Sequence, residues 1–159
     1  MKNILVLLFL SFLHQVSAQE YFNVSDDNFQ TAFNEPHKVI EVGDGHYFID
    51  FGKAYFGTLE LTSKVSQQDS LIFHFGEKLI EDRRLDRKPG GTIRYQRIKM
   101  NQLKANENVL VQLNLDKKHK NSTAIDLPES FGVIMPFRYV EIENLKIPIE
   151  DLKIKQKVF

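Results

Sequence analysis

"HYFIDF", residues 46–51, places Tyr47, Ile49 and Phe51 on one parity and His46, Phe48 and Asp50 on the other. Side chains along an extended chain point alternately to opposite faces, so this pattern predicts a strand with one face on a core. The same period recurs outward in both directions. "TLELTSK" (58–64) turns Leu59 and Leu61 inward and Thr58, Glu60 and Thr62 outward, and "SLIFHF" (70–75) groups Leu71, Phe73 and Phe75. "NVLVQLNL" (108–115) carries Val109, Val111, Leu113 and Leu115 at strict period two, and "DLKIKQKVF" (151–159) sets Leu152 and Ile154 against Lys153, Lys155 and Lys157. Roughly seven or eight such strands, separated by Gly, Pro and polar turns, predict an all-β, antiparallel β-sandwich.

Two stretches depart from this period. In "TIRYQRIKM" (92–100) Ile93 and Tyr95 share one parity while Ile98 and Met100 share the other, and a β-bulge near Gln96–Arg97 would restore one buried face. "VSDDNFQTAF" (24–33) is the nearest approach to a helix, a short amphipathic candidate capped by Ser25.

Ahead of the strands, Lys2 precedes the apolar run "ILVLLFLSFL" and then "HQVSA". A basic start, a short apolar centre and small residues at Ser17 and Ala18 are the parts of a secretory signal peptide, residues 1–18. The run is too short for a comfortable membrane span. The expected mature domain is residues 19–159, exported to a bacterial periplasm or cell exterior. Without Lys2, the basic residues fall one short of the twenty-one acidic ones, so no strong field would draw in nucleic acid or an anionic membrane. The absence of cysteine excludes disulfides and thiolate metal sites, and stability must come from the core.

Candidate chemistry concentrates in one segment. Glu77, Glu81, Asp82 and Asp86 lie within ten residues, and glycosidic cleavage requires two carboxyl groups with separated pKa values. Lys78, Arg83, Arg84, Arg87 and Lys88 interleave with them, however, and such neighbours lower every carboxylate pKa together. The plainer reading is a solvated loop with surface ion pairs. In it "DRKPGG" (86–91) forms a hairpin, with Pro89 presetting φ and Gly90 or Gly91 accepting positive φ. His37, His46, His74 and His119 show no metal-ligand spacing, and His74 points away from Phe73 and Phe75, as a surface or interface histidine would. A calcium site on Asp82 and Asp86 is opposed by the adjacent cations. No nucleophile motif or phosphate loop is present, and no cofactor is expected. The sequons at 23–25 and 121–123 matter only in a eukaryotic secretory pathway. For sugar stacking there is no tryptophan, which leaves Tyr47, Tyr55, Tyr95 and Tyr139, of which Tyr95 and Tyr139 have apolar strand neighbours and can equally be core.

"DFGKAYFGTLELT" (50–62), "HFGEKL" (74–79), "RRLDRKPGGTIRYQ" (83–96) and "FGVIMPFRYVEIE" (131–143) follow one another in the chain. In that order they resemble the N-terminal β-sandwich (jelly-roll, galactose-binding-like) domain of bacterial α-L-rhamnosidase-type glycoside hydrolases, over nearly all of the chain from about Asp50. The resemblance implies an accessory module that works with an (α/α)6 catalytic barrel cleaving terminal α-L-rhamnose with inversion. The acid and base of such enzymes belong to the barrel, so the resemblance assigns no catalytic residue to this chain. The expectation is a non-catalytic accessory domain, as a fragment or half of a split enzyme. Its partners are then a rhamnose-containing glycan and a catalytic (α/α)6 domain in cis or in trans. The alternatives are a free-standing carbohydrate-binding module or a docking domain for a separate catalytic chain. Arg87, Arg94 and Tyr95 are the candidate contacts, with no catalytic and no metal residues.

Overall fold

The computed structural model describes residues 31–115 and 131–159. Residues 1–18, expected to be a signal peptide, most of the 24–33 helix candidate, His119 and both sequons lie outside the described residues. The end of that helix candidate is instead strand β1, Ala32–Asn34, because it is recruited to the sheet by β10.

The other strands are β2 (Lys38–Gly43), β3 (His46–Ser63), β4 (Leu71–Gly76), β5 (Leu79–Glu81), β6 (Arg84–Leu85), β7 (Tyr95–Met100), β8 (Asn108–Leu110), β9 (Met135–Glu143) and β10 (Leu152–Val158). All strand pairings are antiparallel. Strand β3 is eighteen residues long and serves two neighbourhoods. Its first part lies between β2 and β9, with β4 and β7 continuing beyond β9; its last part lies between β10 and β8, with β1 beyond β10. Among the described residues no helix is long and apolar enough to cross a membrane.

The inward parities read from the sequence form one apolar cluster. Ile49, Phe51, Leu59, Leu61, Leu71, Phe73, Phe75, Leu152 and Ile154 are all buried in it. Phe137 meets Phe51 and Phe75 edge to face, at centroid separations of 6.0 and 5.1 Å. Such pairs add about 0.5–1.5 kcal/mol each beyond the burial of their area.

Two local expectations are corrected. Strand β7 pairs with β4 in unbroken register from Leu71↔Met100 to Gly76↔Tyr95, so no bulge lies at Gln96–Arg97. The phase slip is resolved because Ile93 precedes the strand and Tyr95 belongs to the opposite, polar face. Gln96 takes the core-side place beside Phe75 and exchanges two side-chain hydrogen bonds with the Asn114 backbone. The bulge is elsewhere: between Asp50 and Tyr55 of β3, residues 51–54 oppose only Arg138 of β9. Finally, the period in 108–115 outlasts its strand. Pairing ends at Leu110, Val111 and Leu113 remain in the core, and Leu115 is 76% exposed.

Close approach of backbones makes Gly57 indispensable, as it does Gly45, where a Cβ would lie 2.4 Å from the Leu145 carbonyl oxygen. A Cβ on Gly57 would lie 2.1 Å from the Lys157 carbonyl oxygen, because β3 is flanked there by both β10 and β9. Gly57→Ala must therefore push β10 away, an overpacking cost of about 2–3 kcal/mol. Gly90→Ala, where a Cβ meets nothing within 4 Å, provides the contrast. Urea unfolding should show a lowered midpoint for the first variant and nearly the wild-type midpoint for the second.

Candidate functional site

In β9 Glu141 and Glu143 lie two residues apart and so on the same face, away from the core. Register sets Glu141 between Phe48 of β3 and His74 of β4, and Glu143 beside Ile72. In a bare sheet this face would meet water. Here the segment after β4 folds back over it: β5 and β6 pair through a turn at Asp82–Arg83, with Arg83 at φ 61°. Leu85 is fully buried against Gly76, where a Cβ would come within 2.8 Å of the leucine side chain. The hairpin turn thus lies at 82–83, and "DRKPGG" is the connection onward to β7, with Gly91 at φ 63° as expected of one of its glycines.

Arg87 extends from that connection into the covered face. Its Nη2 donates to Glu141 Oε2 at 2.7 Å and to Glu143 Oε1 at 3.2 Å. Its Nη1 donates to His74 Nδ1 and reaches the Tyr95 hydroxyl at 3.4 Å. Glu141, only 1% exposed, also accepts the Leu85 backbone N–H at 2.6 Å and lies 3.0 Å from His46 Nε2. A buried carboxylate is tolerated when it is paired and its lone pairs are filled. These contacts fill them, and two of the donors, Leu85 and Arg87, belong to the hairpin and its connection. The network therefore fixes where the hairpin lies.

His74 is 2% exposed, buried within the fold rather than at the surface or interface expected from its parity. The parity was right, but the face it points to is roofed by Arg87 and Tyr95, whose ring stacks on the imidazole at 6.0 Å. Because Nδ1 accepts from Arg87, the proton of the neutral ring belongs on Nε2. Nε2 lies 3.1 Å from Glu143 Oε1 but off the hydrogen-bonding line. Burial, followed by the charge of Arg87, pushes the His74 pKa down from its ordinary 6.5, against the opposing pull of Glu143 and Glu141.

The sequence candidates therefore separate. Arg87 and Tyr95 come together in this network. Arg94 does not; its backbone N–H donates to Glu77 at 3.3 Å, and it borders a groove with Phe56, Ile93, Met135 and Pro136. The carboxylates of the charged loop pair as expected: Asp86 with Lys78 at 3.1 Å, Asp82 with Arg83 at 3.0 Å, and Glu81 with Arg84 at 2.8 Å. The Asp86 pKa is lowered, chiefly by the Lys88 backbone N–H and then by Lys78. Arg87 is the exception to the solvated-tip reading, because its partners come from three other strands, β4, β7 and β9. Glu141, Glu143 and His46 were missed; the usable signal was the i, i+2 pair in "YVEIE", and it could not reveal that a loop covers it. His46, Glu141 and Glu143 offer ligand atoms within 4.8 Å of one another, a donor set suited to a divalent cation. The Arg87 guanidinium already supplies positive charge to both carboxylates there.

Removing Arg87 should leave Glu141 buried without its cation. Arg87→Met is expected to cost about 3–5 kcal/mol, and Arg87→Met with Glu141→Gln should regain most of it, as a denaturation double-mutant cycle would measure. The pH dependence follows from His74. Its folded-state pKa is depressed, so the unfolded chain binds the proton more readily, and this stability is complete above pH 6.5 and lost as pH falls below it. The slope should approach at most about 1.4 kcal/mol per pH unit and be absent in His74→Gln. Equilibrium unfolding between pH 7.5 and pH 5 (roughly the range in which histidine titrates) tests both variants together.

A profile of the bacterial alpha-L-rhamnosidase concanavalin-like domain family matches residues 40–159. No match is found among curated proteins. Among solved structures, a rhamnosidase from Klebsiella oxytoca with rhamnose bound is similar at 21% identity and a TM-score of 0.35, over 77% of this chain and 22% of that one. The chain thus spans about a fifth of the length of that enzyme. The match over residues 40–159, on an antiparallel β fold, places this chain in the bacterial alpha-L-rhamnosidase concanavalin-like domain family.

Proposed function

We propose that this chain is a non-catalytic accessory β-domain of an exported bacterial α-L-rhamnosidase-type system, acting beside an (α/α)6 catalytic domain in cis or in trans. The observation that carries this reading is the family match over residues 40–159. The chemistry of the candidate acids supports it. Rhamnoside hydrolysis needs one carboxyl group kept protonated and a second kept ionised across an open cleft. Asp82, Glu81 and Asp86 are each held by a neighbouring cation, and Glu141 is buried under a roof of backbone and guanidinium donors.

Within this reading the three candidate contacts divide their roles. Arg87 and Tyr95 brace the hairpin from inside, while Arg94 lies on a groove whose rim includes Phe56, 59% exposed. That groove is the surface we assign to the catalytic domain. A large exposed aromatic ring beside an arginine has the composition that dominates protein interfaces. Residues 1–18 direct export to the periplasm or the exterior, and a rhamnose-containing glycan is the substrate of the assembled system.

One preparation tests these points. Protein recovered from the periplasm should begin at Gln19, leave an aryl α-L-rhamnoside unhydrolysed, and retain an (α/α)6 rhamnosidase domain on a pull-down. Arg94→Glu should reduce that retention at least tenfold, which corresponds to about 1.4 kcal/mol. Rhamnoside turnover that disappears in Glu77→Gln or Asp86→Asn would overturn the non-catalytic reading.

A further inference from the structure

Strand β2 pairs with β3 alone, so among the described residues its outer edge has no strand beside it. An open row of N–H and C=O groups is a template for another strand, and such edges are usually short, covered or broken. β2 is six residues long and exposed at every position except Ile40, which is half-buried. Half of it is β-branched: Val39 is 43% and Val42 37% exposed beside Ile40. Its register against β3 shifts only at its end, between Glu41 and Gly43.

Charge is sorted along this edge. At its start stands Lys38, and the β3 bulge brings Lys53 into a cleft beside it with His37 and Arg138. Arg138 is neutralised by Asp50, which accepts its Nε at 2.8 Å and its Nη2 at 2.9 Å. Lys38 and Lys53 form no ion pair among the described residues and set the sign there. At the other end stand Glu41 and, in the turn to β3, the exposed Asp44. Glu41 and Glu150 border a second hollow with Val39 and Tyr47, against one lysine, Lys153. Burial, followed by the charges of Glu41, Glu150 and Asp44, pushes the Tyr47 pKa above its ordinary 10.0.

An edge that is basic at its start and acidic at its end is complementary to itself when two copies run antiparallel. A two-fold axis through such a pair keeps each residue on its own face of the sheet, so residues of equal parity stand opposite each other. Centring on Ile40 sets Ile40 against Ile40, Val39 against Glu41 and Lys38 against Val42 of the other copy. Lys38 then lies diagonal to Asp44 of the other copy, within reach of a long side chain. Centring on Glu41 would oppose two carboxylates, which is unfavourable. We propose that two copies of this chain associate through β2, paired antiparallel about a two-fold axis at Ile40. The β2 edge shares no residue with the groove of Phe56 and Arg94 assigned to the catalytic domain, so either contact can fail without the other.

Sedimentation equilibrium of the purified full chain tests this. An edge contact is smaller than a standard interface, so a monomer–dimer equilibrium with a Kd on the order of 10–100 µM is expected. The Kd should rise several-fold between about 50 mM and about 500 mM salt as the charges are screened. Lys38→Glu and Asp44→Lys should each raise it about tenfold, because the two-fold axis repeats the contact, and the combined variant should return to within about threefold of the original. The chain has no cysteine, so Ile40→Cys reports on register. Facing Cα atoms in an antiparallel pair lie about 4.5–5.5 Å apart, within disulfide reach, and oxidation with diamide should give a covalent dimer. Ile80→Cys, at a position 54% exposed on the hairpin, should not cross-link. A monomer at every concentration to about 1 mM, a Kd that neither charge reversal moves, or cross-linking as fast in Ile80→Cys as in Ile40→Cys would overturn the proposal.

Discussion

A strand of eighteen residues cannot pair along both edges at both ends and remain flat, because β-strands twist by about 20–25° per neighbour. Strand β3 meets β2 and β9 first and β10 and β8 last. It accommodates the change of company through the four residues between Asp50 and Tyr55, which leave the β9 ladder and oppose a single residue. Much of the fold depends on this one accommodation. It lets the inward faces of both halves share a core with Phe137 at its centre, and it requires a glycine at position 57, where three strands converge. It also lets Arg138 turn toward Asp50 and opens the cleft beside them.

The second organising feature is the carboxylate of Glu141. Surface ion pairs such as Glu81–Arg84 and Asp82–Arg83 carry little energy, and screening reduces it further. Glu141 differs because it is almost fully buried and because donors from β3, β6 and the β6–β7 connection meet on it. Whether such a buried network adds net stability over a hydrophobic equivalent is a separate matter from what it specifies. Here it specifies the position of the hairpin, since the Leu85 N–H and the Arg87 guanidinium that satisfy the carboxylate come from the hairpin and its connection. The hairpin in turn shields His74 from water, and the histidine couples the network to pH.

These two features leave the molecule with surfaces of different character. One face is closed by the hairpin, with the Glu141 carboxylate satisfied beneath it. The bulge leaves a cleft on another part of the surface, and the groove at Phe56 and Arg94 lies on a third.

Alternation in "HYFIDF", "TLELTSK", "SLIFHF" and "DLKIKQKVF" was sufficient to determine an antiparallel β fold and most of its core, because period two survives wherever one face is buried. Charge interleaving likewise predicted the pairing of Asp82 and Asp86. Tertiary structure alone decided what covers the other face. His74, Tyr95, Glu141 and Glu143 have outward parity, and outward means solvent only if no loop returns over the sheet. The placement of the bulge was equally hidden, because the slip in "TIRYQRIKM" could be resolved by a bulge or by turning Tyr95 to the polar face. Local sequence encodes which way a side chain points. What it meets there depends on contacts between residues far apart in the chain, such as Arg87 with Glu141 and Asp50 with Arg138, and no local period records them.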